Sequence, residues 1–128
     1  MDCIFCKIIK GEIPSYTVYE DELVKVFLDI NPITEGHMLI IPKNHYKDIN
    51  EIPEELVLHL HKVAKKMFKT LKNKLNIDGL SLTQNNEYGQ EVKHYHLHLI
   101  PRYKNDNINF NPQKDKKSVE EIFKKISE

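Results

Sequence analysis

The sequence predicts an α+β domain: an antiparallel sheet of five short strands, one long helix and a short helix near each end. Three observations carry this. Short runs rich in Val, Ile, Tyr and Phe are punctuated by Pro, Gly, Asn and Asp. From Pro53 the apolar spacing changes to threes and fours, through Leu56, Leu60, Val63, Ala64, Met67, Phe68, Leu71 and Leu75. After Asp78-Gly79 the strand-like alternation returns. At 128 residues the chain suits one domain, 1–128, with a core over 3–102 and a tail over 103–128.

In chain order, Phe5, Ile8 and Ile9 fall at helical spacing, and Gly11 and Pro14 end that first helix. Tyr16 to Glu20 and Leu23 to Leu28 read as a hairpin turning at Glu20-Asp21-Glu22. Asp29-Ile30-Asn31-Pro32 breaks the run, and His37 to Ile41 forms a third strand stopped by Pro42. The long helix opens at Pro53, which suits a first turn, with Glu54 and Glu55 at its positive end. Its apolar stripe reads as core, and its many lysines as the solvated face. His59 and His61 flank the stripe as surface or interface residues. Leu80 to Thr83 is a fourth strand, Gln84 to Gln90 a loop and Glu91 to Ile100 a fifth strand. The polar stretch from Asn105 to Lys117 is irregular, and Ser118 caps a last helix containing Ile122, Phe123 and Ile126.

Lys plus Arg balances Asp plus Glu at 19 each, so no overall field draws the chain to nucleic acid or to a membrane surface. The N-terminus lacks the apolar run of a secretory signal or a spanning helix. Cys3 and Cys6, the two cysteines, then read as reduced thiols or metal ligands rather than a disulfide. A cytoplasmic enzyme or binding protein is the expectation.

The chemistry concentrates in His94-Tyr95-His96-Leu97-His98-Leu99-Ile100. On a strand, alternate side chains share a face, roughly 6.7 Å apart at Cα. His94, His96 and His98 therefore form a row in front of an apolar back of Tyr95, Leu97 and Leu99. Imidazole near neutral pH is a nucleophile, a proton carrier or a metal ligand. A solvated polar face is the plain alternative, but three of the chain's seven histidines in one register argue against it. Cys3-x-x-Cys6 lets two thiolates reach one zinc, which two imidazoles would complete.

This heptapeptide resembles the His-φ-His-φ-His-φ-φ signature (φ apolar) of the histidine triad (HIT) superfamily of nucleotide hydrolases and transferases. Four further blocks resemble it in the same order: Cys3 to Pro14, Phe27 to Pro32, Gly36 to His45, and Gln84 to Val92. The resemblance implies a HIT-like fold and a homodimer paired across the long helix and its neighbouring strand. It implies His96 as nucleophile on an α-phosphate, within a catalytic triad of His94, His96 and His98, and His98 as a phosphate contact. It implies Asp29 on the ribose hydroxyls, and Ile4, Phe5, Ile8, Phe27 and Ile30 around a purine base. Asn85 (or Asn86) and Gln90 fall near the phosphates, and His37 near the site. In bacterial relatives with the Cys pair, structural zinc ligands match Cys3, Cys6, His45 and His94.

There are departures. The loop from Asn85 to Gln90 is about two residues shorter than usual. Glu91 stands where some relatives carry a Ser or Thr, and an ionised carboxylate cannot donate to phosphate. The chain has no Trp, unlike the Hint branch, and its third triad residue is His rather than the Gln of galactose-phosphate uridylyltransferases.

The expected function is hydrolysis or transfer of a purine nucleoside phosphoramidate through a nucleotidyl-histidine, without a metal in the chemistry. One imidazole nitrogen of His96 must then be free while the other donates its proton, to a nearby carbonyl for example. Dinucleoside polyphosphate hydrolysis is an alternative. So is a nucleotide-binding or zinc-stabilised interaction protein with vestigial catalysis. A metal-dependent hydrolase using His96 and His98 lacks a carboxylate at matching spacing.

Overall fold

A computed structural model describes residues 3–127; Met1, Asp2 and Glu128, the ends of the expected domain, lie outside them. In order the elements are α1 (Ile4–Ile9), β1 (Thr17–Glu20), β2 (Val24–Leu28), β3 (Met38–Pro42), α2 (Glu54–Leu75), β4 (Gly79–Thr83), β5 (Leu97–Arg102) and α3 (Val119–Ile126). The strands form one antiparallel sheet in the order β1-β2-β3-β5-β4. Among the described residues no helix is long and apolar enough to cross a membrane.

Strand parity divides the core in two. Val24, Val26, Met38, Ile40, Leu97 and Leu99 face α2 and pack on Leu60, Val63, Ala64, Met67 and Leu71. Phe27, Leu39 and Ile41 point the other way and pack on Cys3, Phe5 and Ile8 of the N-terminal turn and α1. Each sheet face thus buries its own apolar set, as a period of two requires.

Local signals set the ends. The Cys3 thiol caps α1 by accepting from the Cys6 N–H at 3.3 Å. Asn76, left-handed at φ 54°, ends α2. The Ser118 hydroxyl caps α3 through the Glu121 N–H at 3.2 Å. The β1–β2 turn is held by Asp21, whose carboxylate accepts from Leu23 N, Val24 N and Tyr19 Oη at 2.8–2.9 Å.

One expected element is shorter at its start. The fifth strand begins at Leu97, not Glu91, because its ladder to β3 begins at the Leu97–Ile40 pair and its ladder to β4 ends at His98–Thr83. His94 and His96 lie ahead of any ladder, yet the alternation survives. Tyr95 N–H donates to the Tyr46 carbonyl at 2.7 Å, Tyr95 joins the core under α2, and Phe5 meets both histidines on the other face.

Candidate active site

β5 and the segment before it bring the three histidines onto the sheet face that carries α1. Phe5 stacks edge-on against His94 at 5.8 Å and His96 at 5.1 Å between ring centroids, and the rings of His96 and His98 lie 4.9 Å apart. From this point the row divides into two sites.

His94 turns away from the cleft. Its Nε2 lies 2.9 Å from the Pro42 carbonyl, which can only accept, so Nε2 carries the proton. The Nδ1 lone pair then faces Cys3 Sγ at 3.3 Å and Cys6 Sγ at 3.6 Å, while His45 Nδ1 sits 3.4 Å from Cys6 Sγ. The four donor atoms lie within 4.8 Å of one another. Zinc–sulfur bonds of about 2.3 Å and zinc–nitrogen bonds of about 2.0 Å in a tetrahedron give S···N edges of about 3.5 Å. The cluster matches those edges, and the carbonyl that fixes the His94 tautomer is the outer-shell partner such ligands take. The four residues fit a structural zinc. Burial and the neighbouring Cys3 raise the Cys6 pKa, and burial lowers that of His94 to about 4, with His45 and His96 adding to the effect.

His96 and His98 face a cavity of about 390 Å³ shared with Asp29, His37, Asn85 and Glu91. His96 Nδ1 lies 2.7 Å from the His94 carbonyl, so Nδ1 bears the proton and Nε2 keeps a free lone pair. Burial depresses the His96 pKa, against opposing pulls from the His94 carbonyl and from Asp29 and Glu91. A neutral imidazole with one free nitrogen is the nucleophilic form.

His98 is set by a second chain. The Ile33 N–H donates to His37 Nδ1 at 3.0 Å, which leaves the His37 proton on Nε2; that N–H donates to His98 Nδ1 at 3.0 Å. His98 therefore carries its own proton on Nε2, as a donor. Burial, with smaller contributions from His96 and His37, lowers its pKa to about 4 against an opposing pull from Asp29. Gly36, at φ +89°, delivers His37: a Cβ there would meet Leu75 Cδ1 at 2.7 Å.

Asp29, His37 and His98 also offer three ligand atoms within 4.8 Å, a carboxylate grouping that sequence spacing did not suggest. Both His37 nitrogens are engaged in the chain just described, so hydrogen bonding accounts for the trio without a metal.

The other expected residues divide. Asn85 lines the cavity, whereas Asn86 Oδ1 is occupied by Ile49 N–H and Gln84 Nε2, both at 2.8 Å. Gln90 is buried, its amide donating to the Lys47 carbonyl at 2.7 Å while its Oε1 has no partner among the described residues. Phe5, Ile8 and Phe27 lie in the small core behind the site, not in the cavity wall, while Ile4 and Ile30 are exposed. His59, expected as a surface or interface residue, binds Asp21 Oδ2 at 2.8 Å and ties α2 to the β1–β2 turn. No sequence signal links two residues so far apart.

Comparison with known proteins identifies the family. The HIT domain family matches residues 10–105. An uncharacterised HIT-like protein of Methanocaldococcus jannaschii is 47% identical over 128 residues, 97% of this chain and 98% of that one. An adenosine 5'-monophosphoramidase of Saccharomyces cerevisiae is 46% identical over 102 residues, 78% of this chain and 62% of that one. The crystal structure of a zinc-bound histidine triad family protein from Mycobacterium smegmatis superposes with a TM-score of 0.81 at 36% identity, covering 90% of this chain and 85% of that chain. A match of this extent makes the chain a member of the HIT family.

Proposed function

We propose that this protein is a nucleotidyl hydrolase or transferase acting on purine nucleoside phosphoramidates. The observation that carries it is the His96 Nδ1–H bond to the His94 carbonyl, which leaves Nε2 unprotonated beside the cavity. The Nε2 lone pair forms a bond to the α-phosphorus while the bond to the leaving amine breaks, the amine departing with a proton from solvent. Water then displaces the imidazole and yields the nucleoside monophosphate. His98 Nε2–H and the Asn85 side chain are the donors for phosphoryl oxygens, and Asp29 accepts from the ribose hydroxyls. Zinc on Cys3, Cys6, His45 and His94 would act structurally, pinning α1 beside the triad. The name of the yeast relative supports the substrate class. A homodimer in the cytoplasm, where both thiols stay reduced, completes the reading.

The test is quench of the enzyme in alkaline denaturant during turnover of adenosine 5'-phosphoramidate, followed by intact mass measurement without acidification. An adenylyl adduct on wild type, mapped to His96 and absent from His96→Ala, is expected. Turnover by His96→Ala above about a tenth of wild type would overturn the assignment.

A further inference from the structure

The cavity around His96 and His98 has an unusual charge for a site that receives a phosphate. Asp29 and Glu91 both line it, and among the described residues no Lys or Arg does. The imidazoles of His37 and His98 bring little compensation, because burial lowers their pKa and leaves them neutral near pH 7. Lys93, on the same segment, is turned to the carbonyls of Glu87 at 3.2 Å and Gln90 at 3.0 Å. The lysines of α2 belong to a helix packed on the other face of the sheet.

The two carboxylates differ in their commitments. Asp29 Oδ1 accepts from the Asn31 N–H at 2.8 Å, and Oδ2 lies 3.7 Å from His37 Nε2. Glu91 is exposed, and among the described residues nothing donates to it. It follows Gly89 (φ +91°) and Gln90 in the turn that leads into the triad. A hydroxyl there could donate to a phosphate; a carboxylate repels one and attracts a cation.

We propose that Glu91 is a specificity-determining residue that favours nucleotides whose leaving group carries a positive charge, such as α-phosphoramidates of diamines, over those whose leaving group is an anion. This rests on the nucleotidyl-transfer reading of His96. One unit charge at roughly 7 Å in a partly solvated cleft changes the free energy by enough for about a tenfold preference. The same repulsion makes a further phosphate chain a poor leaving group here.

The test uses three adenosine 5'-phosphoramidates with a shared four-carbon amine, ending in an ammonium, a methyl or a carboxylate, so that the bond broken is the same. Wild-type kcat/KM should fall in that order, by about tenfold per charge step, and the spread should shrink in 0.5 M salt as charges are screened. Glu91→Gln should flatten the series, and Glu91→Lys should reverse it. Glu91 is exposed, so both variants should fold, which circular dichroism checks. Equal wild-type rates on all three, or a gradient that survives in Glu91→Gln, overturn the role of Glu91 while leaving His96 in place. Cleavage of none of the three by wild type overturns the nucleotidyl-transfer reading, and this inference with it.

Discussion

The Nε2–H of His37 donates to Nδ1 of His98 across 3.0 Å, so a residue on the approach to β3 fixes where a triad histidine carries its proton. The origin of the order is a backbone amide, the Ile33 N–H on His37 Nδ1. An amide does not titrate, so this tautomer holds until an imidazole is itself protonated, which for His98 falls at about 4.

His37→Ala should therefore lower kcat by about 10- to 100-fold with a smaller change in KM, because His98 would lose the tautomer that donates to the phosphoryl group. Nitrogen NMR of the imidazoles should find His98 protonated at Nε2 in wild type and mixed in the variant. An unchanged His98 spectrum would show that His37 has only a packing role.

The proposed zinc site predicts about one equivalent of metal per chain purified without chelators. Cys3→Ser with Cys6→Ser should remove it and lower Tm by roughly 10 °C, as expected for loss of a few kcal/mol in a domain of this size. Activity should fall too, since Phe5 of α1 packs on His96. Zinc retained in the double variant but lost from His96→Ala with His98→Ala would place the metal elsewhere.

Asp29→Ala should weaken ribonucleotide substrates by about 10- to 100-fold, the loss of a charge-assisted hydrogen bond, and 2'-deoxy analogues far less. Equal losses on both would remove Asp29 from the diol.

Asp21 links acid stability to the hairpin. Burial raises its pKa, but hydrogen bonds from His59, the Leu23 and Val24 amides and Tyr19 outweigh it and bring the pKa to about 2. A carboxyl with a depressed native pKa stabilises the fold fully above its unfolded value, near 4, and loses that contribution as pH falls towards 2. The gap in urea midpoint between wild type and Asp21→Asn should thus be constant near neutrality and close between about pH 4 and pH 2. A gap that persists unchanged at the acid end would show that the charge is not what stabilises the turn.

The proposed dimer predicts an interface on α2 and the outer strand β4. A cavity of about 270 Å³ there is lined by Ala64, Phe68, Leu80 and Leu82 with His61 and Lys65, and β4 leaves one edge of the sheet open. Light scattering should report a dimer for wild type and a monomer for Phe68→Glu with Leu82→Glu. A monomer in both would remove the interface.

Much of this arrangement was legible in the chain. The stripe from Leu56 to Leu75 gave α2 because its spacing admits no other element, and the Val- and Ile-rich runs gave β2 and β3 within a residue. Alternation placed Tyr95, Leu97 and Leu99 on the face opposite the histidines, as the core under α2 bears out. It misplaced the start of β5, because alternation reports where side chains point and not whether a neighbouring strand supplies a ladder. The resemblance brought His45 to the cysteines, and the trio of Asp29, His37 and His98 came only from the fold. The His45–Cys6 and His37–His98 contacts join residues 39 and 61 positions apart, and no local period encodes them.

His94 has two kinds of chemistry in one residue. Its imidazole belongs to the cysteine cluster, while its backbone carbonyl holds the His96 proton. Every amino acid supplies a carbonyl, so the second task is independent of the side chain. Substitution at His94 can therefore strip the cluster of a ligand while leaving the acceptor for His96 in place, provided the backbone path from Tyr95 is kept. A metal bound at the cluster could therefore be lost one side chain at a time while the proposed nucleophile, His96, keeps its tautomer.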